Sequence, residues 1–104
     1  MHDETEFVLE WDESKRQKAL KERDVDFKLA RFVLTDPNLV RRIDDKRNYK
    51  ETRYLAYGMV YGRVFKLSYI MYGTTYKVLS LYKLHEKNQE QYYGKIGQDE
   101  REDN

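Results

Sequence analysis

The sequence predicts a small α+β domain: two N-terminal helices, an antiparallel β-meander of about four strands plus a short N-terminal strand, and one C-terminal helix. Three observations predict it. A run of strong helix formers spans 13–23, with Asp12 or Ser14 able to cap a helix at its start. Tyrosine-rich and β-branched runs then recur from residue 52 to 82. Short glycine-marked turns separate those runs, which pairs successive strands antiparallel.

In chain order, residues 7–11 read as the short first strand, after a frayed start at 1–5. The first helix offers only Ala19 and Leu20 to a core, so it is mostly solvated. Asp24 is the expected turn. Asp26 can cap a second, shorter helix with Phe27, Ala30, Val33 and Leu34 on its inner side. Thr35-Asp36-Pro37 stops it, because a residue before proline avoids the α region. Strands are expected at 39–43, 52–58, 63–71 and 75–82, with a charged loop at 44–50 and turns at 59–62 and 72–74. The closing helix spans 83–93, with Leu84 and Tyr92 inward and Gly94 and Gly97 ending it. One domain is expected over 1–97, its folded core at about 7–93, followed by an acidic disordered tail at 98–104.

Composition narrows the function. The chain has 104 residues and no cysteine, so disulfides and thiolate metal sites are excluded. Its two histidines, His2 and His85, are too few for an ordinary zinc site, and no cofactor is implied. No apolar run approaches the roughly 20 residues of a membrane span, and the acidic N-terminus is unlike a signal peptide. The cytoplasm is the expected location. The net charge of +1 conceals a segregation: residues 14–97 carry 19 Lys and Arg against 9 Asp and Glu, while both ends are acidic. A basic body suits a phosphate-bearing partner, and it equally suits a merely solvated surface.

The order of several short motifs resembles the BrnT family of ribonuclease toxins. They are Leu9-Glu10-Trp11-Asp12 with Lys15, Val25-Asp26-Phe27, Asp36-Pro37, Glu51-Thr52-Arg53 before Gly58, Gly62-Arg63, Ser68-Tyr69, and Lys77 leading into Val78-Leu79-Ser80-Leu81-Tyr82. Tyr92 aligns with a tyrosine of the family's closing helix. The resemblance implies a RelE-like fold, RNA cleavage, translation inhibition and a ribbon-helix-helix antitoxin as partner, with which an oligomer can form. Three positions depart from the family pattern. Arg23-Asp24 stands where a His-Gly pair is usual, Tyr82 where an arginine is usual, and Asn88 where a glutamate is usual.

Metal-free RNA cleavage uses the 2′-hydroxyl as nucleophile. It needs a base, an acid for the leaving 5′-oxygen and cations at the phosphate. Arg53 and Lys77 are the phosphate candidates, Arg as a two-pronged donor and Lys as a point charge. Each can instead be a solvated strand residue or pair with a carboxylate. His85 is the one side chain of the folded body that ordinarily titrates near neutral pH, which suits an acid or base. Glu51 can act as base or pair with Arg53 or Lys50. Tyr82 and Tyr92 can donate protons, stack on bases or fill the core. Lys50, Arg63, Lys83 and Tyr92 complete the expected RNA surface. Trp11 is expected to anchor the first helix.

Two other classes stay open on sequence alone. One is a catalytically degenerate interaction protein on the same scaffold, binding RNA passively or blocking a nucleic-acid-handling complex as a phage-borne inhibitor would. The other is a structural partner with no nucleic-acid affinity.

Overall fold

Asp12 decides where the first strand gives way to the first helix. In the computed structural model, which describes residues 7–45, 47–85 and 88–96, β1 (Val8–Trp11) turns Leu9 and Trp11 toward the core and Val8 and Glu10 toward solvent. Asp12 then accepts the Ser14 N–H at 2.9 Å and the Ser14 hydroxyl at 2.7 Å, opening α1 (Glu13–Arg23). Asp12 is therefore the cap, satisfying one of the helix's orphan donors. The helix ends at Asp24, whose φ of +56° lies in the left-handed region that short polar side chains tolerate. Asp26 caps a 3₁₀ turn (Phe27–Leu29) that runs into α2 (Ala30–Leu34). Arg16 joins the two segments by bonding both Asp26 oxygens, at 2.8 and 3.1 Å. Phe27, Ala30, Val33 and Leu34 are all buried, as their spacing predicts.

Four further strands follow: β2 (Val40–Ile43), β3 (Tyr54–Val60), β4 (Arg63–Tyr72) and β5 (Thr75–Lys83). They form one sheet ordered β1-β5-β4-β3-β2. The meander is antiparallel as expected, but β1 adds to it in parallel, beside β5. Both sheet edges are thus four-residue strands. The turn expected over 59–62 shrinks to Tyr61-Gly62, with φ of +49° and +80°, the two-residue hairpin whose twist suits strands. Gly73, at φ +59°, opens the next hairpin. Leu79 is an extra residue in β5 against β4, since Ser80 pairs with Ser68 while Val78 pairs with Tyr69.

The closing helix is the main correction. Residues predicted to begin it extend the sheet instead, because Lys83 pairs with Phe65 and the Leu84 N–H reaches the Val64 carbonyl at 2.9 Å. Helix α3 (Glu90–Ile96) starts seven residues later and passes through Gly94, which does not end it. The frayed start at 1–5, the expected stop at Gly97 and the acidic tail at 98–104 lie outside the described residues.

The sheet separates two apolar clusters. On one face, α1 and α2 cover Ala56, Val60, Phe65, Leu67, Tyr69, Val78 and Leu81. There Tyr54, Tyr69, Tyr76 and Phe7 form a row of ring contacts with centroids 5.0–5.4 Å apart, so three of the tyrosines fill core. On the other face a smaller cluster, Val40, Leu55, Tyr57 and Val64, lies with Tyr92 of α3. Gly58 sets how closely α2 seats. A Cβ there would come within 2.6 Å of the Val33 carbonyl oxygen, which belongs to backbone and cannot yield cheaply. Gly58→Ala is expected to lower stability by about 1–3 kcal/mol, the usual cost of overpacking, read as an earlier urea-denaturation midpoint.

Candidate nucleic-acid interface

Helix α3 covers only one end of the second sheet face, and the remainder carries cations. Side chains alternate along strands, so Leu55 and Tyr57 place Arg53 on this face with them. The Asp44 N–H reaches the Arg53 carbonyl at 2.8 Å, continuing the β2–β3 ladder by one residue. Phe65 and Leu67 point into the helix-side core, which turns Lys66 outward to the open face. Lys77 pairs with Ile70 on β4 and with Glu10 on β1. One row across the open face therefore reads Glu10, Lys77, Ile70, Arg53. Strand spacing puts Arg53 and Lys77 roughly 10 Å apart at the backbone, close enough for two long side chains to converge on one phosphate.

Arg53 is held rather than loose. Its guanidinium carbon lies 4.0 Å from the Tyr49 ring centroid, and Tyr49 bonds Asp44 at 3.2 Å. Its Nε is buried with no hydrogen-bond partner. Among the described residues, neither Arg53 nor Lys77 forms an ion pair with a carboxylate. Lys50 and Glu51 are exposed in the loop before β3 and line a pocket of about 220 Å³ with Tyr49 and Arg53.

The other sequence candidates scatter. Tyr82 lies on the open face farther along β5, opposite Lys66. Lys83 alternates back to the helix side. His85 lines a separate hollow with Arg63, Gln89 and Tyr93, at the opposite end of β5 from Lys77. Tyr92 is only 2% exposed, so its ring has no free face for a base. Its hydroxyl donates to Asp36 at 2.8 Å, and burial together with that carboxylate pushes the phenol up to about 12. Its expected inward position holds, and its expected place on the RNA surface does not.

Sequence reasoning missed Glu10, Lys66 and Arg42, the last paired with Leu55 and so on this same face. Strand alternation alone would have found Glu10 and Lys66, each lying between two inward apolar neighbours.

A sequence model of the ribonuclease toxins named BrnT, of type II toxin–antitoxin systems, matches residues 11–88. The chain belongs to that family. No curated protein matches it. A BrnT chain belongs to a toxin–antitoxin pair, so membership implies an antitoxin protein as partner. The match begins at Trp11, the half-buried last residue of β1, and ends before Tyr92. Among the described residues, no helix is long and apolar enough to cross a membrane. Two of the departures from the BrnT pattern meet in space: Arg23 stacks on Tyr82. The third, Asn88, donates its N–H to the His85 carbonyl at 2.8 Å, away from the Arg53 row.

Asp36 ties the covered end of the face together. It accepts N–H groups from Asn38 at 2.9 Å and Met59 at 2.7 Å besides the Tyr92 hydroxyl. Burial opposes its charge, but these three donors outweigh burial and hold its carboxyl below the ordinary value. A depressed folded value means the stabilisation is complete above the unfolded value of about 4 and is lost as pH falls through the folded one. Asp36→Asn should therefore cost about 1–3 kcal/mol at pH 7, with the gap from wild type narrowing below pH 4 in urea titrations.

Proposed function

We propose that this BrnT chain is a metal-independent endoribonuclease whose open sheet face holds the scissile phosphate between Arg53 and Lys77. The observation that carries this reading is the shared row. Two cations from β3 and β5, without carboxylate ion pairs among the described residues, flank the buried Ile70 on a face that no helix covers at that end. In the reaction, the 2′-oxygen attacks the adjacent phosphorus and the bond to the 5′-oxygen breaks. The leaving 5′-oxygen takes a proton from solvent water at the open face, which leaves a cyclic phosphate on one fragment and a hydroxyl on the other. Arg53 and Lys77 balance the charge that builds on the phosphoryl oxygens, the contribution that is usually largest in such sites. Glu10, next to Lys77 in register, supplies a carboxylate able to take the 2′-hydroxyl proton. The chain acts in the cytoplasm on translated RNA, and a ribbon-helix-helix antitoxin neutralises it by covering the basic face.

A second reading has its own support. His85, the expected acid or base, lies at the other end of the sheet, and Tyr82 and Asn88 replace the family's usual arginine and glutamate. Such a face can hold RNA, or block an RNA-handling complex, without cutting. Purified protein incubated with total RNA separates the two. Cleavage that falls by about 10²-fold or more in Arg53→Ala and in Lys77→Ala supports the enzyme. Binding at matched salt with intact RNA over hours supports the passive binder and defeats the first reading.

A further inference from the structure

The free edge of β5 carries a feature that phosphate binding by Arg53 and Lys77 does not use. β1 pairs with β5 only as far as Val78, so the edge beyond it is uncovered by a strand. Arg23, in the last turn of α1, reaches this edge. One of its N–H groups donates to the Leu81 carbonyl at 3.1 Å, and its guanidinium carbon lies 4.1 Å from the centre of the Tyr82 ring.

Neither group is satisfied by these contacts. A guanidinium has five N–H donors, and Arg23 uses one among the described residues. Its Nε is buried without a hydrogen-bond partner, and no carboxylate among the described residues pairs with it. The donors open to an incoming anion are the remaining terminal N–H groups, not the buried Nε. Tyr82 stays 42% exposed although its neighbour Leu81 is fully buried, so the ring is presented rather than packed away. Lys66 is its register partner on the same open face.

We infer that Arg23 and Tyr82 form a nucleotide-binding subsite for single-stranded RNA, Tyr82 stacking a base and Arg23, with Lys66, holding a phosphate beside it. The inference rests on the RNA-binding reading above and extends it to a second position. A flat ring backed by a cation takes an unstacked base of any identity, and bases in a duplex are not free to stack on it. Tyr82 is five residues from Lys77 on one strand, roughly 15 Å along it, which places the subsite beside the scissile phosphate rather than at it.

The test is fluorescence anisotropy of the full chain with a short labelled single strand carrying 2′-O-methyl groups, which block cleavage. Tyr82→Ala and Arg23→Ala should each weaken binding about tenfold, the scale of one lost base stack. Tyr82→Phe, which keeps the ring, should restore it. Arg23→Ala should also reduce the slope of log affinity against log salt by about 0.7, the signature of one phosphate contact to a single strand. If wild type binds, Arg53→Ala weakens it and the folded Arg23 and Tyr82 variants bind as wild type, the subsite is overturned and the RNA reading stands. If Arg23→Ala loses affinity with an unchanged salt slope, the arginine merely braces the strand edge, and the phosphate role is overturned. Absence of binding by wild type at low salt overturns both readings.

Discussion

The close seating of α2 on Gly58 governs the rest of the arrangement. The Val33 carbonyl occupies the space a side chain would need, so backbone approaches backbone and the short helix can bury Ala30, Val33 and Leu34 against the sheet. With α1 contributing little beyond Ala19 to the buried core, this five-residue helix carries much of the apolar cover on its face. A chain of this size has little helix left for the opposite face. Among the described residues only α3 lies there, and it covers one end, pinned by Tyr92 on Asp36. The rest of that face stays open to water and is therefore free to carry charge.

Cations take up that freedom unevenly. Arg53 and Lys77 lie in one row with Ile70 between them, and Lys66 lies farther along. The ion pairs among the described residues lie elsewhere: Glu13 and Asp26 are engaged by Arg16 on the helix side. Opposite charges thus join α1 to the following turn, while on the open face Lys66, Lys77 and Arg53 outnumber Glu10. The chain's membership of the BrnT ribonuclease toxins gives that polarity a meaning, since RNA is a polyanion.

Much of this was legible from local rules. The Asp12 cap, the Asp26 cap, the inward set of α2 and the glycine hairpins all follow from neighbours within four residues. What sequence could not show depends on distant pairing. The parallel placement of β1 beside β5 requires knowing which edge is vacant, and no local pattern encodes that. The last helix was misplaced because residues 83–84 suit a helix as well as a strand, and pairing with Phe65 and Val64 decides for the strand. Among candidate site residues, strand parity gives Arg53 and Lys77 only a face each; the row they share comes from pairing through β4. Parity was not sufficient to remove Tyr92, whose burial comes from a loop acceptor 56 residues earlier. Nor could it bring Arg23 to Tyr82, which meet across the sheet edge.

The two border strands have a consequence of their own. An uncovered strand offers a row of unpaired amides and carbonyls on which another chain can template. Here both outermost strands are only four residues long, and the stretch of β5 that β1 leaves uncovered has its Leu81 carbonyl taken by Arg23. One exposes Arg41 and Arg42, and the other exposes Glu10. Two identical borders brought together would oppose like charges over a ladder too short to compensate. The architecture thus resists stacking into extended sheets while leaving its flat basic surface accessible.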